Sequence, residues 1–131
     1  NFVSNATYEL GGDYSVKMIY EHLHGKDSAT EPDRQYYDQL VTIGLSKAPT
    51  WTLSFMGEHS TDHTVDENYI PGQAETKHFY WAGGQLDLSL SNNFNLSIFG
   101  GKRRQGKICI GGVCVVKPEL NGVEVTGIWR F

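Results

Sequence analysis

Excess positive charge, proline and uninterrupted hydrophobic sequence are all scarce in this chain of 131 residues. Eleven Lys and Arg stand against 15 Asp and Glu, for a net charge of −4. The chain therefore has no basic footprint for a nucleic-acid backbone, and no nucleic-acid partner is expected. No run of about 18 apolar residues occurs, which excludes a transmembrane helix. Asn1-Phe2-Val3-Ser4-Asn5 lacks the basic and apolar regions of a secretion signal, so the expectation is a mature chain or one cut from something longer. There are four prolines and two cysteines. Helical periodicity is missing too, so little helix is expected. What is plentiful is 15 Gly, seven Tyr, six Phe and three Trp, a composition that favours β-structure. The length suits one domain or a piece of one.

Alternation of apolar and polar residues runs from end to end, as it does in strands with two different faces. Near the C-terminus Val123, Val125, Gly127, Trp129 and Phe131 share one face, while Glu124, Thr126 and Arg130 share the other, with Ile128 as the exception. Phe94, Leu96 and Ile98 oppose Asn95 and Ser97, and Leu86 and Leu88 oppose Gln85 and Asp87. Trp51, Leu53 and Phe55 oppose Thr52 and Ser54; Val41, Ile43 and Leu45 oppose Asp38 and Thr42. Val16, Met18 and Tyr20 oppose Lys17 and Glu21, and Ala6 and Tyr8 oppose Thr7 and Glu9. The pattern predicts one all-β unit over 1–131 with about seven strands, near 2–10, 14–24, 34–46, 51–59, 78–90, 94–103 and 120–131.

The connections alternate in length. Those around Gly11-Gly12, Ala48-Pro49 and Asn92-Asn93 are short, and Gly and Asn suit tight hairpins. Those near 25–33, 60–77 and 104–118 are long and polar. Tight turns at one end and long loops at the other are the plan of an antiparallel up-and-down transmembrane β-barrel. The alternative is a soluble lipocalin-like barrel binding a small apolar ligand, its interior lined by Val16, Met18, Ile43, Leu53, Leu88 and Ile98. Period alone does not separate the two, because turning a barrel inside out preserves it. Aromatics near the strand ends favour the membrane: Tyr14, Trp51, Phe94 and Trp129 at one end, Tyr20, Tyr37 and Tyr80 at the other. So does a polar face bearing Glu9, Lys17, Glu21, Asp38, Asp87, Glu124 and Arg130, the expected lumen-facing charges. Trp129 and Phe131 close the chain like the signal that outer-membrane assembly machinery reads. With the tight turns periplasmic, the first of seven strands begins outside the cell. That expectation makes the chain the C-terminal part of a larger barrel, or else a complete eight-stranded one with a strand unrecognised.

The two cysteines lie in Ile108-Cys109-Ile110-Gly111-Gly112-Val113-Cys114. A Gly111-Gly112 turn sets Cys109 opposite Cys114 at a non-hydrogen-bonded site, with Cα atoms about 4.5 Å apart, within reach of a disulfide. A disulfide suits an oxidising periplasm or surface; a reduced pair of small apolar residues is the alternative, and a metal site has no other ligand nearby. This motif, the upstream Gly100-Gly101-Lys102-Arg103-Arg104-Gln105-Gly106, the downstream Pro118 and the terminal Phe131 together resemble the C-terminal end of an uncharacterised outer-membrane β-barrel family of the Bacteroidota. The likeness covers about the last 30 residues, and members of that family are several times longer. It implies an outer-membrane location, and with it lipid, barrel-assembly machinery and further strands of the same or another chain as partners. It supplies no activity, ligand or cofactor.

Candidate chemistry is thin. Glu58, His59, Asp62, His63 and Asp66 gather at the start of the longest loop, His78 closes it, and His22 and His24 share a strand end. Such groups hold metals or act as bases elsewhere, but no spacing here is diagnostic, and a solvated loop is the plain reading. Lys102, Arg103 and Arg104 form a basic run, solvated by default and placed to meet lipid phosphate. Phe79, Trp81 and Phe99 fall on the inward face near the outer rim. The expectation is a non-enzymatic outer-membrane barrel segment, a pore or a membrane component of a surface complex. No catalytic residue, metal or cofactor is expected.

Overall fold

The structure is a computed structural model that describes residues 1–27, 34–62, 77–110 and 113–130. Among these described residues nine strands follow one another: β1 Phe2–Gly11, β2 Tyr14–Asp27, β3 Arg34–Lys47, β4 Trp51–Ser60, β5 Phe79–Ser91, β6 Phe94–Arg103, β7 Gly106–Ile110, β8 Val113–Lys117 and β9 Leu120–Trp129. Seven of them form one open antiparallel sheet in the order β1-β2-β3-β4-β5-β6-β9, and β7 and β8 pair separately. The chain is thus all-β and up-and-down, with β1 and β9 as the two edges. Both edges run from the long-loop end towards the tight-turn end.

Period two decides the bounds, and turn chemistry fixes the register at the tight end. Gly11, Gly12 and Asp13 take positive φ of 85°, 60° and 67°, a region open to Gly and tolerated by Asp. The pairing shifts by one residue between Glu9 and Gly11, and again between Ser89 and Ser91 beside the β5–β6 turn. Neighbouring hairpins are laced together there. The Ala48 amide donates to the Asp13 carbonyl (2.9 Å), Ser89 to Thr50 (2.8 Å) and Arg130 to Asn93 (2.8 Å). At the other end β2 runs further than the alternation suggests, to Asp27, which pairs with Arg34 at the start of β3. The segment expected as one hairpin loop carries its own ladder, in which Gly106 opposes Lys117.

Ladder register sorts the side chains into two faces. One row reads Tyr8, Val16, Leu45, Leu53, Leu86, Ile98 and Val125 across all seven strands. The adjacent row reads Thr7, Lys17, Gly44, Ser54, Gln85, Phe99 and Glu124. The apolar face is open: Met18, Ile43, Phe55 and Val125 on it are 49–63% exposed. Val3, Leu23 and Ile128 are exposed apolar residues on the polar face. Among the described residues the buried apolar side chains are Trp81 and Phe99, both on the polar face.

The sheet curls towards that polar face. Side chains leave a sheet roughly at right angles, and β3 and β6 are three strand spacings apart, about 14 Å along the sheet. Arg104, just past β6, nevertheless meets Asp38 on β3, with Nη2 3.1 Å from Oδ2. That reach across β4 and β5, with Trp81 and Phe99 buried on the same side while the apolar face stays open, marks the polar face as the concave one and the apolar face as convex. Glycines allow the bend. On the concave side Gly83, Gly101 and Gly122 form one row. A Cβ on Gly83 would strike the Phe99 ring, and one on Gly101 would strike the backbone of Ala82 and Gly83.

Candidate functional site

Two clusters occupy the long-loop end, one on each face. The concave one is built by strand ends, where period two brings Asp38 of β3, Ser60 and Glu58 of β4 and Trp81 of β5 onto one side. Arg104 enters from beyond β6. Its Nη2 lies 3.1 Å from Asp38 Oδ2, its Nε 3.1 Å from Glu58 Oε1, and its guanidinium 5.6 Å from the centre of the Trp81 ring. Ser60, fully buried, donates its hydroxyl to Asp38 Oδ1 and accepts from the Asp62 amide at 3.0 Å. Burial works against the Arg104 charge. The hydrogen bond to Asp38 and the carboxylates of Glu58, Asp38 and Asp62 outweigh it and hold the guanidinium above its ordinary value.

Beside it Arg103 grips Glu124 of β9 with two bonds, Nη1 to Oε1 at 3.2 Å and Nη2 to Oε2 at 2.7 Å. Its Nε donates to the Pro118 carbonyl at 3.3 Å, and its guanidinium lies 5.1 Å from the Phe99 ring centre. Bidentate pairing of this kind fixes orientation as well as charge. The basic run 102–104 is therefore split. Arg103 and Arg104 turn inward onto carboxylates, against the solvated reading, and only Lys102 stays on the exposed convex face. The expected cluster around Glu58 and His59 splits for the same reason: adjacent residues of a strand point to opposite faces.

On the convex side His59 is the hub. Its Nε2 is 2.9 Å from His78 Nδ1, and its ring stacks on Tyr80 at 4.8 Å between centres. Tyr37 meets His59 edge-on at 5.7 Å and stacks with His22 at 6.3 Å. Gln39 bridges His59 Nδ1 (3.4 Å) and the Tyr20 hydroxyl (3.5 Å). Phe2 lies 6.4 Å from Tyr20, so a belt of rings runs from β1 to β5. A second belt at the tight-turn end pairs Tyr14 with Trp51 at 6.2 Å and Phe94 with Trp129 at 5.5 Å.

The register puts Glu9, Lys17, Glu21, Asp38, Asp87 and Glu124 on the concave face, and Arg130 follows β9 in the same phase. Cys109 stands opposite Cys114 in the β7–β8 ladder. Phe131, His63, Asp66 and the Gly111-Gly112 turn lie outside the described residues. Among the described residues no group of three His, Cys, Asp or Glu is arranged to hold a metal ion. Sequence reasoning missed the roles of Arg103, Arg104 and Ser60. The strand phase could have placed Arg103 beside Phe99, since the two are four apart on β6. Arg104 lies past the strand, where period carries no information.

No curated protein and no solved structure matches the chain. A family model does, over residues 1–131. Set beside the sheet and its two end clusters, that full-length match gives the assignment: the chain belongs to the family of unknown function DUF6029.

Proposed function

We propose that these seven strands are part of the wall of an outer-membrane β-barrel, with the convex face against lipid and the concave face lining the interior. The observation that carries this reading is the sense of the curl. The apolar row, including Val16, Met18, Ile43, Leu53, Leu88 and Ile98, lies on the outside of the bend, and the charged row lies on the inside. A lipocalin-like barrel requires the reverse. Exposed apolar patches on soluble proteins seldom exceed a few hundred Å², whereas a lipid-facing barrel wall is apolar between two aromatic belts. The rings at both strand ends support that arrangement.

The role is non-enzymatic, as a pore or as the membrane component of a cell-surface complex, and no cofactor enters it. The salt-bridged cluster at the long-loop end narrows the interior there. Lipid and the barrel-assembly machinery are the expected partners, with Trp129 and Phe131 as the assembly signal. Further strands must close the sheet, because unpaired strand edges in lipid cost several kcal/mol per backbone group. The Cys109–Cys114 register supports a disulfide across the β7–β8 hairpin, in an oxidising compartment. The test is fractionation followed by intact mass. The expected result is a protein in the outer-membrane fraction that needs detergent for release, with a mass above the 14.7 kDa of this chain. Recovery from the soluble fraction would overturn the reading.

A further inference from the structure

Charge is divided between the faces. By register, Glu9, Glu21, Asp38, Glu58, Asp87 and Glu124 all lie on the concave side. The convex side carries His22, His24, His59 and Lys102 towards the long-loop end, and His78 joins His59 there. None of those strand carboxylates faces them.

Below the histidines runs a groove of about 380 Å³. Its floor is Val41, Gly57 and Ala82, one row of the ladder, and a Cβ added to Gly57 would meet nothing within 4 Å. Its upper edge is hydrogen-bonding, with Gln39, His59 and Tyr80, and Tyr20 ends the floor row beside Val41; Glu58 and Trp81 also border it, from strand positions whose side chains belong to the concave face. Exposed Lys102 is the ladder partner of Ala82. An apolar trough that opens at one end onto imidazoles and an ammonium complements an amphiphile with an anionic head.

We propose that this groove binds a phosphorylated membrane lipid, with one acyl chain over Gly57 and Ala82 and the phosphate held by Lys102 and by His78, which His59 positions through the bond between their rings. The proposal rests on the outer-membrane reading, since a convex face in lipid is what presents the groove to such a chain. Charge complementarity selects the occupant, because a zwitterionic head would bring its own cation against the Lys102 ammonium.

The experiment is native mass spectrometry of the full-length detergent-extracted protein with phosphatidic acid, phosphatidylcholine of the same chains, or inorganic phosphate. Retention of phosphatidic acid over phosphatidylcholine is expected. Lys102→Gln, which removes one charge at the membrane surface, should reduce that preference about fivefold. Gly57→Leu should fill the trough and lower retention of both lipids, with heat-dependent gel mobility reporting that the barrel is folded. His59→Gln, close in size, should repeat the loss of preference if the leucine variant does not assemble. Equal retention of the two lipids, variants that behave as wild type, or displacement of the lipid by inorganic phosphate would each overturn the proposal. The membrane reading fails separately, by recovery of the protein without detergent.

Discussion

Arg104 shows how much one residue outside any strand can organise. It joins Asp38, Glu58 and Trp81, which come from three neighbouring strands. Arg104→Ala would leave two carboxylates facing each other on a concave, part-buried surface. Breaking such a pair costs several kcal/mol when fully buried and less with water nearby, so about 2–3 kcal/mol is expected. Urea unfolding of the detergent-held protein reads it. The loss should shrink when Asp38→Asn and Glu58→Gln are added, because the unpaired charges go with them. Ile43 gives the complementary test on the other face. It is 49% exposed, and replacing such a residue on a soluble protein changes stability by no more than about 0.5 kcal/mol. Against lipid near the bilayer centre, Ile43→Arg should cost about 2–4 kcal/mol. A neutral Ile43→Arg in the same unfolding assay would count against a lipid-facing convex surface.

At the scale of the element, bend and hairpin each carry a prediction. The row Gly83, Gly101 and Gly122 lets β5, β6 and β9 approach on the inside of the curl. Gly101 has φ of 136°, and a Cβ there runs into the Ala82 and Gly83 backbone. Gly101→Ala should therefore cost about 1–3 kcal/mol through strain and crowding, while Gly57→Ala, with open space around it, should cost far less. The β7–β8 ladder sets Cys109 against Cys114. A maleimide should fail to label the folded protein until a reductant is added; full labelling without reductant would mean a thiol pair. These elements also mark what was legible beforehand. Strand positions and faces were, because side-chain period and backbone period coincide in β-structure, so Lys17, Asp87 and Glu124 could be assigned to one side from spacing alone. The sense of the curl was not, since it is set by contacts between strands three apart, such as Arg104 with Asp38. The convex cluster escaped for a related reason. His59 and His78 are 19 residues apart with the longest loop between them, and only the β4–β5 pairing brings them to 2.9 Å.

For the whole molecule the proposed barrel raises the question of what completes the sheet. Every described residue of β1 is exposed, and among the described residues no strand lies beside its outer edge. Edges like this recruit other strands. Strand directions then restrict the candidates. Because β1 and β9 run the same way, joining them to each other makes a parallel seam in an otherwise antiparallel wall. A second copy inserted in the same orientation offers only the same choice at both of its edges. Antiparallel closure needs an odd number of additional strands. In the proposed barrel, the arc that completes the wall therefore has an odd number of strands whose own two edges run opposite to β1 and β9: a second copy of these seven has the right count and, in the same orientation, the wrong direction at both seams.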